Sequence, residues 1–204
     1  MAMGEEIKEF DFEEFNHDKI IALLKGTGRT GVIGLIDFME EGGFFTAPCS
    51  GQYHLAEPGG LAEHSLNVYF ALLGIDGALE ANIPLDSIII CGILHDLGKM
   101  GDFGKGNYIA NILKSGEQSK SKPYVTNTDL LYVPHEIRSI AIAQRFIELT
   151  EDEEFAILYH NGLYTPLGNS YKGKETPLSL MLHFADMWCS RVTEAEEKKE
   201  GEEE

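Results

Sequence analysis

His95 and Asp96 stand side by side at the end of a stretch, Ile88 to Leu94, that is apolar on all of its faces. Burying an unpaired imidazole or carboxylate in such surroundings costs several kcal/mol, so the pair needs polar partners or a cation. Isolated residues of the same two types occur in other apolar helical patterns, at His64, His135, His160 and Asp186. Imidazoles and carboxylates that converge from several helices are the ligand set expected for one or two divalent metals, such as manganese, iron, nickel or zinc, with magnesium also possible.

Asp96 and Lys99 are placed to share the chemistry of such a centre. The carboxylate of Asp96 has two oxygens and can bridge two metals, whereas His95, about 100° away around a helix, can bind only one. Lys99 follows Asp96 by three residues, and because a protonated ammonium cannot ligate a metal, we expect it to bind a phosphate oxygen. Two divalent ions would outweigh the charges of Asp96 and Asp186, which suits an anionic substrate. Asp96 and Lys99 are therefore the predicted catalytic residues.

The length and composition of the chain limit the classes of protein to which it can belong. A chain of 204 residues with 43% hydrophobic content can bury one sizeable core, and we expect a single domain over residues 1–204. The longest apolar run is far shorter than the ~20 residues that span a bilayer. The first residues lack the basic start and apolar core expected of a secretory signal, and three cysteines without CxxC spacing support neither a disulfide framework nor a structural zinc site. These features predict a cytoplasmic protein with no membrane partner.

The net charge of −18 is concentrated at the two ends of the chain. Residues 1–19 and residues 194–204 each carry a net charge of −5, which indicates solvated acidic helices at the N-terminus and a frayed acidic tail at the C-terminus. A protein this acidic lacks the broad basic surface that drives non-specific nucleic-acid binding, so we do not expect long duplexes as partners. The sequence leaves the oligomeric state open.

Hydrophobic periodicity predicts a mainly helical chain. The periodic pattern is interrupted by two irregular loops, 42–60 and 101–133, which are rich in small and polar residues. Thr150 begins a capping-box sequence, and Thr176 followed by Pro177 is typical of a helix start. The sequence shows no internal repeat and no sustained alternation of the kind expected for strands.

Glycine and proline predict several helix boundaries. The helix that carries the His-Asp pair is expected to start near Pro84 and to end at Gly98. A second helix is expected to open at Pro134 and to continue to Leu149. Residues 26–31 match the pattern GxGxxG, but a helix precedes them, whereas dinucleotide binding needs a preceding strand. We therefore interpret this segment as a loop.

Five short segments together resemble the successive motifs of the HD-domain metal-dependent phosphohydrolases. In chain order they are Gly60–Ser65, Leu94–Lys99, His135–Ser139, Tyr159–Gly162 and His183–Asp186. The resemblance covers about residues 42–192, and five motifs in the same order are far more specific than a lone His-Asp pair. The sequence is most similar to short, stand-alone HD proteins of bacteria and their phages, and more distantly to the HD domain of certain 3′ to 5′ exoribonucleases.

The resemblance implies an all-α HD-domain bundle and a set of metal ligands. It places four ligands at His64, His95, Asp96 and Asp186, and it completes a second metal site with His135 and His160. Some relatives have a second histidine directly after the one matched by His160, whereas this chain has Asn161. The second metal site is therefore expected to be weaker or different.

The resemblance also implies an activity, the hydrolysis of a phosphate ester or anhydride in a nucleotide or short single-stranded oligonucleotide by a metal-activated water. Lys99, and with it Arg138 and His54, are the predicted substrate-binding residues. Arg138 is equally well explained as a solvated helix residue, and His54 as an ordinary hydrogen-bonded histidine. Two other functions fit the same residues: a di-iron oxygenase, as in a few HD relatives, and a metal-stabilised nucleotide-binding or regulatory module.

Overall fold

The computed structural model describes residues 12–195, and within them the chain is mainly helical, which confirms the all-α prediction. The α-helices are α1 (Phe12–Gly26), α2 (Val32–Gly42), α3 (Gly60–Leu79), α4 (Leu85–Leu94), α5 (His135–Ala143), α6 (Glu151–Tyr159), α7 (Gly168–Tyr171) and α8 (Pro177–Trp188). Shorter helical turns are the 3-10 helices Leu97–Met100 and Gly162–Tyr164 and the π-helical turn Cys189–Thr193. Two short strands, β1 (Tyr108–Ala110) and β2 (Tyr124–Thr126), form an antiparallel ribbon.

Helix α4 lies at the centre of the packing, in contact with α1, α3, α6 and α8. Every residue from Ser87 to Leu94 is buried, which explains why this stretch is apolar on all of its faces. Each buried Ile or Leu side chain contributes about 1.5–3 kcal/mol to the free energy of unfolding. Helix α3 approaches closely at Gly92, where a Cβ atom would lie only 2.7 Å from the Cα of Tyr69.

The helix that carries the His-Asp pair ends at Leu94, so the predicted end at Gly98 is wrong. Asp96, with φ −103° and ψ 10°, leaves the helical path, and a 3-10 helix follows it. Gly98 does not stop a helix. It allows close contact with α5, because a Cβ atom there would lie 2.3 Å from the carbonyl oxygen of His135. Its amide also donates to Oγ of Ser139 at 2.8 Å, so this contact brings His135 next to Asp96.

Helix α5 ends at Ala143 rather than at the predicted Leu149. The chain turns after Ala143, and the backbone of Phe146 then packs against Gly31, where a Cβ atom would lie 1.8 Å from the carbonyl oxygen of Phe146. Gly31 is the last glycine of the GxGxxG segment, which connects α1 to α2 as a loop, as predicted. Glycine is required at position 31 because the backbone of Phe146 lies so close and because φ is positive, at 87°. These local reasons explain the glycine without the approach of a pyrophosphate.

The capping signals are confirmed. Thr150 accepts a hydrogen bond from the amide of Glu153, and the carboxylate of Glu153 accepts one from the amide of Thr150. Thr176 forms the equivalent reciprocal pair with Ser179 at the start of α8. These caps fix the starts of two helices whose later residues contribute to the candidate site.

The 101–133 segment contains the β1–β2 ribbon, in which Ile109 pairs with Val125. Strands of three residues are too short to show alternation, which is why the sequence did not reveal them. The amide of Tyr124 donates to the carbonyl oxygen of Gly51 at 3.1 Å, so the ribbon packs on the loop between α2 and α3.

The acidic ends lie mostly outside the described part of the chain, at residues 1–11 and 196–204. Glu194 belongs to the acidic run but is buried, with 9% of its surface exposed, so the prediction of a solvated tail is wrong at this residue. Among residues 12–195, no helix combines the length and the apolar character needed to cross a membrane.

Candidate metal centre

The carboxylate of Asp96 lies between two pairs of imidazoles. Its Oδ2 is 3.4 Å from Nε2 of His64 and 3.5 Å from Nε2 of His95. Its Oδ1 is 3.2 Å from Nε2 of His135 and 3.5 Å from Nε2 of His160. Each oxygen therefore faces one histidine pair.

Asp186 joins the pair that faces Oδ2, because its Oδ1 lies 3.2 Å from Nε2 of His64. We call His64, His95, Asp186 and Oδ2 of Asp96 the first half-site, and His135, His160 and Oδ1 of Asp96 the second half-site. The structure thus brings together all six residues that the sequence suggested as metal ligands. They come from α3, from the ends of α4 and α6, from the start of α5, and from α8.

The imidazole of His64 is oriented by a second carboxylate. Its Nδ1 donates to Oε2 of Glu194 at 2.9 Å, and Oε1 of Glu194 accepts a further hydrogen bond from Nδ2 of Asn67 at 3.0 Å. Burial lowers the pKa of His64, but the contacts with the carboxylates of Asp186, Asp96 and Glu194 raise it well above its usual value. The negative potential that favours a proton at His64 equally favours a metal cation at Nε2.

Backbone carbonyls orient two more histidines. Nδ1 of His95 donates to the carbonyl oxygen of Gly92 at 3.0 Å, and Nδ1 of His160 donates to that of Ile157 at 2.8 Å. A neutral imidazole that donates through Nδ1 carries a lone pair on Nε2. In both residues the lone pair on Nε2 is therefore aimed at Asp96.

The cluster contains more hydrogen-bond acceptors than donors. Both carboxylate oxygens of Asp96 are buried and neither accepts a hydrogen bond of regular geometry. Nε2 of His64 lies 3.3 Å from Nε2 of His95, and the same distance separates Nε2 of His135 from Nε2 of His160. Lone pairs that converge in this way fit a cation, so the residues of each half-site could hold a metal ion.

Lys99 provides the positive charge closest to Asp96, with its Nζ 2.6 Å from Oδ2. Burial would raise the pKa of Asp96, but the Lys99 ammonium and the neighbouring histidines hold it well below its usual value. Burial would lower the pKa of Lys99, but Asp96 raises it well above its usual value. Burial lowers the pKa of His95, which favours the neutral imidazole that a metal ligand requires.

The centre is accessible from one side. The side chain of His135 is 28% exposed, that of Asp186 16% and that of Lys99 14%, whereas His64 and Asp96 are almost completely buried. The open side of the cluster is therefore lined by His135, Asp186 and Lys99.

Asn161, the point at which the chain departs from some HD proteins, lies beside the second half-site. Its Nδ2 is 3.0 Å from Nε2 of His160 and 3.2 Å from Nε2 of His135, and it donates to Oε1 of Glu136 at 3.1 Å. An amide donor thus faces the lone pairs of both histidines, which distinguishes this half-site from the first. That the second metal binds differently stays a prediction.

The remaining predicted substrate-binding residues are placed differently. Arg138 is buried, its Nη2 donates to the carbonyl oxygen of Leu131 at 2.8 Å, and its Nε has no hydrogen-bond partner. His54 is half-buried, with its ring centroid 5.1 Å from that of His64. Contact of either residue with a substrate stays a prediction.

Sequence reasoning missed Cys49, which is buried beside the first half-site. Its Sγ lies 3.3 Å from Nε2 of His54 and accepts a hydrogen bond from Nζ of Lys99 at 3.7 Å. Burial raises the pKa of Cys49 to about 11 and lowers the pKa of His54 to about 4, so both groups are uncharged at neutral pH. A cysteine in a loop of Gly, Pro and Ser carries no local signal of this contact.

Two histidines outside the set of ligands have structural contacts. Nδ1 of His183 donates to the carbonyl oxygen of His160 at 2.6 Å, and its ring occupies the space where a Cβ atom of Gly162 would lie. His17 lies on the surface, with its Nε2 3.3 Å from Glu40. His183 therefore helps to hold the turn that carries His160.

Comparisons of the chain with protein-family models, with curated proteins and with solved structures find no match. The helical architecture and the buried cluster of histidines and aspartates are compatible with an HD-like fold, and the cluster could bind a metal.

Proposed function

We propose that the protein is an HD-type, metal-dependent phosphohydrolase that cleaves a phosphate ester or anhydride in a nucleotide or short single-stranded oligonucleotide. The observation that carries the proposal is the position of Asp96. One of its oxygens faces His64 and His95 and the other faces His135 and His160, all at 3.2–3.5 Å. This arrangement suits a carboxylate that bridges two metal ions.

The proposed ligands are those of the two half-sites, and transition metals such as manganese, iron, nickel or zinc fit their imidazole and carboxylate donors. When bound, paired metals supply Lewis acidity toward a phosphoryl oxygen and lower the pKa of a water ligand toward about 7. Asp96 would supply one carboxylate oxygen to each half-site and so hold the two half-sites next to each other. Glu194 keeps Nε2 of His64 directed inward.

Lys99 is proposed to bind the phosphate of the substrate. Its ammonium is partly exposed and lies beside Asp96, where a cation next to bound metals is favourable only if an anion joins them. An ammonium on a flexible stem can exchange the carboxylate of Asp96 for a phosphate oxygen without leaving the centre. Charge stabilisation of this kind acts on the transition state of phosphoryl transfer.

The charge distribution supports a small substrate. The chain has a net charge of −18, so it repels long polyanions, whereas a centre that holds divalent metals and Lys99 attracts a single phosphate group. A mononucleotide or a short single strand meets both conditions.

The test combines elemental analysis with a turnover screen. Protein purified without chelators is assayed for bound metals and for the release of phosphate or shorter nucleotides from mono- and triphosphates, cyclic nucleotides and short oligomers. We expect turnover that is lost on chelation, restored by metal, and absent from Asp96→Asn, while the surface variant His17→Ala is unaffected.

No turnover of any of these substrates by the metal-loaded protein would contradict the proposed function. Redox-dependent oxygen consumption without phosphate release would instead favour the di-iron oxygenase. Tight nucleotide binding without turnover would favour the regulatory module.

A further inference from the structure

A thiol and an imidazole lie next to the first half-site without belonging to it. Cys49 Sγ is 3.3 Å from Nε2 of His54, and the ring of His54 faces that of His64 with a centroid distance of 5.1 Å. One ligand atom each from Cys49, His54 and His64 lie within 4.8 Å of one another. Such a spacing allows a single ion to contact all three atoms after small side-chain movements.

The loop between α2 and α3 is folded so that Cys49 and His54 are held together. The amide of Cys49 donates to the carbonyl oxygen of Leu55 at 3.0 Å. The hydroxyl of Ser50 donates to the carbonyl oxygen of His54 at 2.8 Å and accepts from the amide of Tyr53 at 2.9 Å. These bonds close the loop between its two donor residues, so a ligand would meet a preorganised pair.

The donor set differs in kind from that of the half-sites. A thiolate with two imidazoles is a soft to borderline set, which selects zinc and cadmium over manganese or magnesium. Cys49 is completely buried, so a sulfur–metal bond here is shielded from water.

We propose that Cys49, His54 and His64 form a third metal site, for a soft divalent cation such as Zn²⁺ or Cd²⁺, that competes with the first half-site for His64. In the metal-free protein, binding breaks the S–H bond of Cys49, displaces the proton from the His64 nitrogen that takes the metal, forms sulfur–metal and nitrogen–metal bonds and releases both protons to solvent, without any change of oxidation state. The cation replaces the Lys99 ammonium, now 3.7 Å from Sγ, as the positive partner of the sulfur.

The competition follows from the two existing contacts of His64. Its Nδ1 is bound to Glu194 at 2.9 Å, and its Nε2 faces Asp96 and Asp186. A metal at Nε2 would remove a ligand from the first half-site, and a metal at Nδ1 would remove the carboxylate that orients that ligand. Either way, soft-metal binding weakens the first half-site and inhibits the enzyme.

The third site itself is independent of the proposed phosphohydrolase activity, while the competition rests on the proposed metal at the first half-site. The experiment therefore has two readouts. The full-length protein is titrated with Cd²⁺ and followed by its ultraviolet sulfur-to-cadmium charge-transfer absorption, first without other metals and then after loading with Mn²⁺, with released Mn²⁺ measured in parallel.

We expect a charge-transfer band that saturates at one cadmium–thiolate bond per chain, and release of Mn²⁺ as the band grows. Cys49→Ser should lose the band and keep its Mn²⁺. Cys91→Ala, which alters another buried cysteine, should keep the band. His54→Gln retains the thiol and should weaken Cd²⁺ binding by about tenfold or more, which tests the site if Cys49→Ser does not fold.

A band that persists in Cys49→Ser, or wild-type protein without a band in excess Cd²⁺, would overturn the third site. A band that grows without release of bound Mn²⁺ would overturn the competition. A band in protein that takes up none of Mn²⁺, Fe²⁺ and Ni²⁺ would support the third site and contradict the proposed function.

Discussion

Glu194 accepts a hydrogen bond from Nδ1 of His64 at 2.9 Å, although the two residues are 130 positions apart in the chain. Burial would raise the pKa of Glu194, but the contact with His64 lowers it, so the carboxylate is ionised at neutral pH. A charged acceptor at Nδ1 fixes the tautomer of His64 and increases the basicity of Nε2. The π-helical turn at Cys189–Thr193 delivers Glu194 to this position.

Glu194→Gln should weaken metal binding at the first half-site by about 10- to 100-fold, because the amide keeps the shape of the side chain but loses its charge. Calorimetric titration with Mn²⁺ measures the effect. Glu154→Gln, which changes an exposed glutamate, is the matched control and should bind normally. Unchanged affinity in Glu194→Gln would show that Glu194 does not support a metal ligand.

Arg29 joins three parts of the fold through ion pairs. Its Nη2 lies 2.6 Å from Oε1 of Glu153 and 2.7 Å from Oδ2 of Asp86, and Glu153 also accepts from Oγ of Ser87 at 2.7 Å. Burial would raise the pKa of Glu153, but its hydrogen bonds, first that of Arg29, lower it, and Arg29 likewise lowers the pKa of Asp86.

Arg29→Met should reduce the free energy of unfolding at pH 7 by about 3 kcal/mol, because it leaves the buried carboxylate of Glu153 without its counter-charge. Carboxylates with lowered pKa values stabilise the fold fully above their unfolded pKa values of about 3.9–4.3, and this contribution is lost as pH falls through the folded values. The difference between wild type and Arg29→Met should therefore shrink below about pH 4. Urea unfolding at pH 7 and pH 3 measures it.

Arg191→Met is the matched control, because Arg191 is an exposed cation that stacks on Tyr164. Its effect at pH 7 should be within about 0.5 kcal/mol. A constant difference between wild type and Arg29→Met from pH 7 to pH 3 would contradict the role of the ionised carboxylates.

Lys99→Met should retain bound metals and the thermal midpoint of the metal-loaded protein but lose roughly 10²-fold or more in kcat/KM, on the order of 3 kcal/mol of transition-state stabilisation. Methionine keeps most of the stem and removes the charge. Lys105→Met serves as the control, since Nζ of Lys105 is exposed and donates to the carbonyl oxygen of Asp129. Normal turnover of metal-loaded Lys99→Met would refute the phosphate-binding role.

Short single strands should bind in preference to long duplex. A chain of net charge −18 repels the many phosphates of a duplex, and its few lysines cannot offset that repulsion. Competition binding at two salt concentrations, between a labelled single-stranded oligomer and unlabelled duplex, measures the preference. Tight and strongly salt-dependent binding of the duplex would contradict it.

The sequence was sufficient to predict that four histidines and two aspartates meet at the centre. His64 and Asp186 are isolated polar residues in apolar helical patterns, and such residues are satisfied only by converging on one another or on a cation. The same logic brought in the His95–Asp96 pair at the end of the apolar α4. Periodicity and capping signals likewise predicted the helical class, including the start of α8 at Pro177.

Contacts made only in the folded protein could not be predicted. Glu194 lies in an acidic run and has no local feature that separates it from solvated neighbours, yet it binds His64. The end of α4 was misplaced because the apolar pattern continues through Leu97 into the 3-10 helix. The end of α5 was misplaced because Ile147 and Leu149 are buried without being helical.

The division of the site by Asp96 is tested most directly by counting metals per chain in two variants, with His17→Ala as a control for loss of a surface histidine. We expect Asp96→Ala to lose metal from both half-sites, because each of its oxygens faces one histidine pair. We expect His160→Ala to lose one metal and keep the other. Equal loss of both metals from His160→Ala, or retention of both by Asp96→Ala, would contradict the bridging position of Asp96.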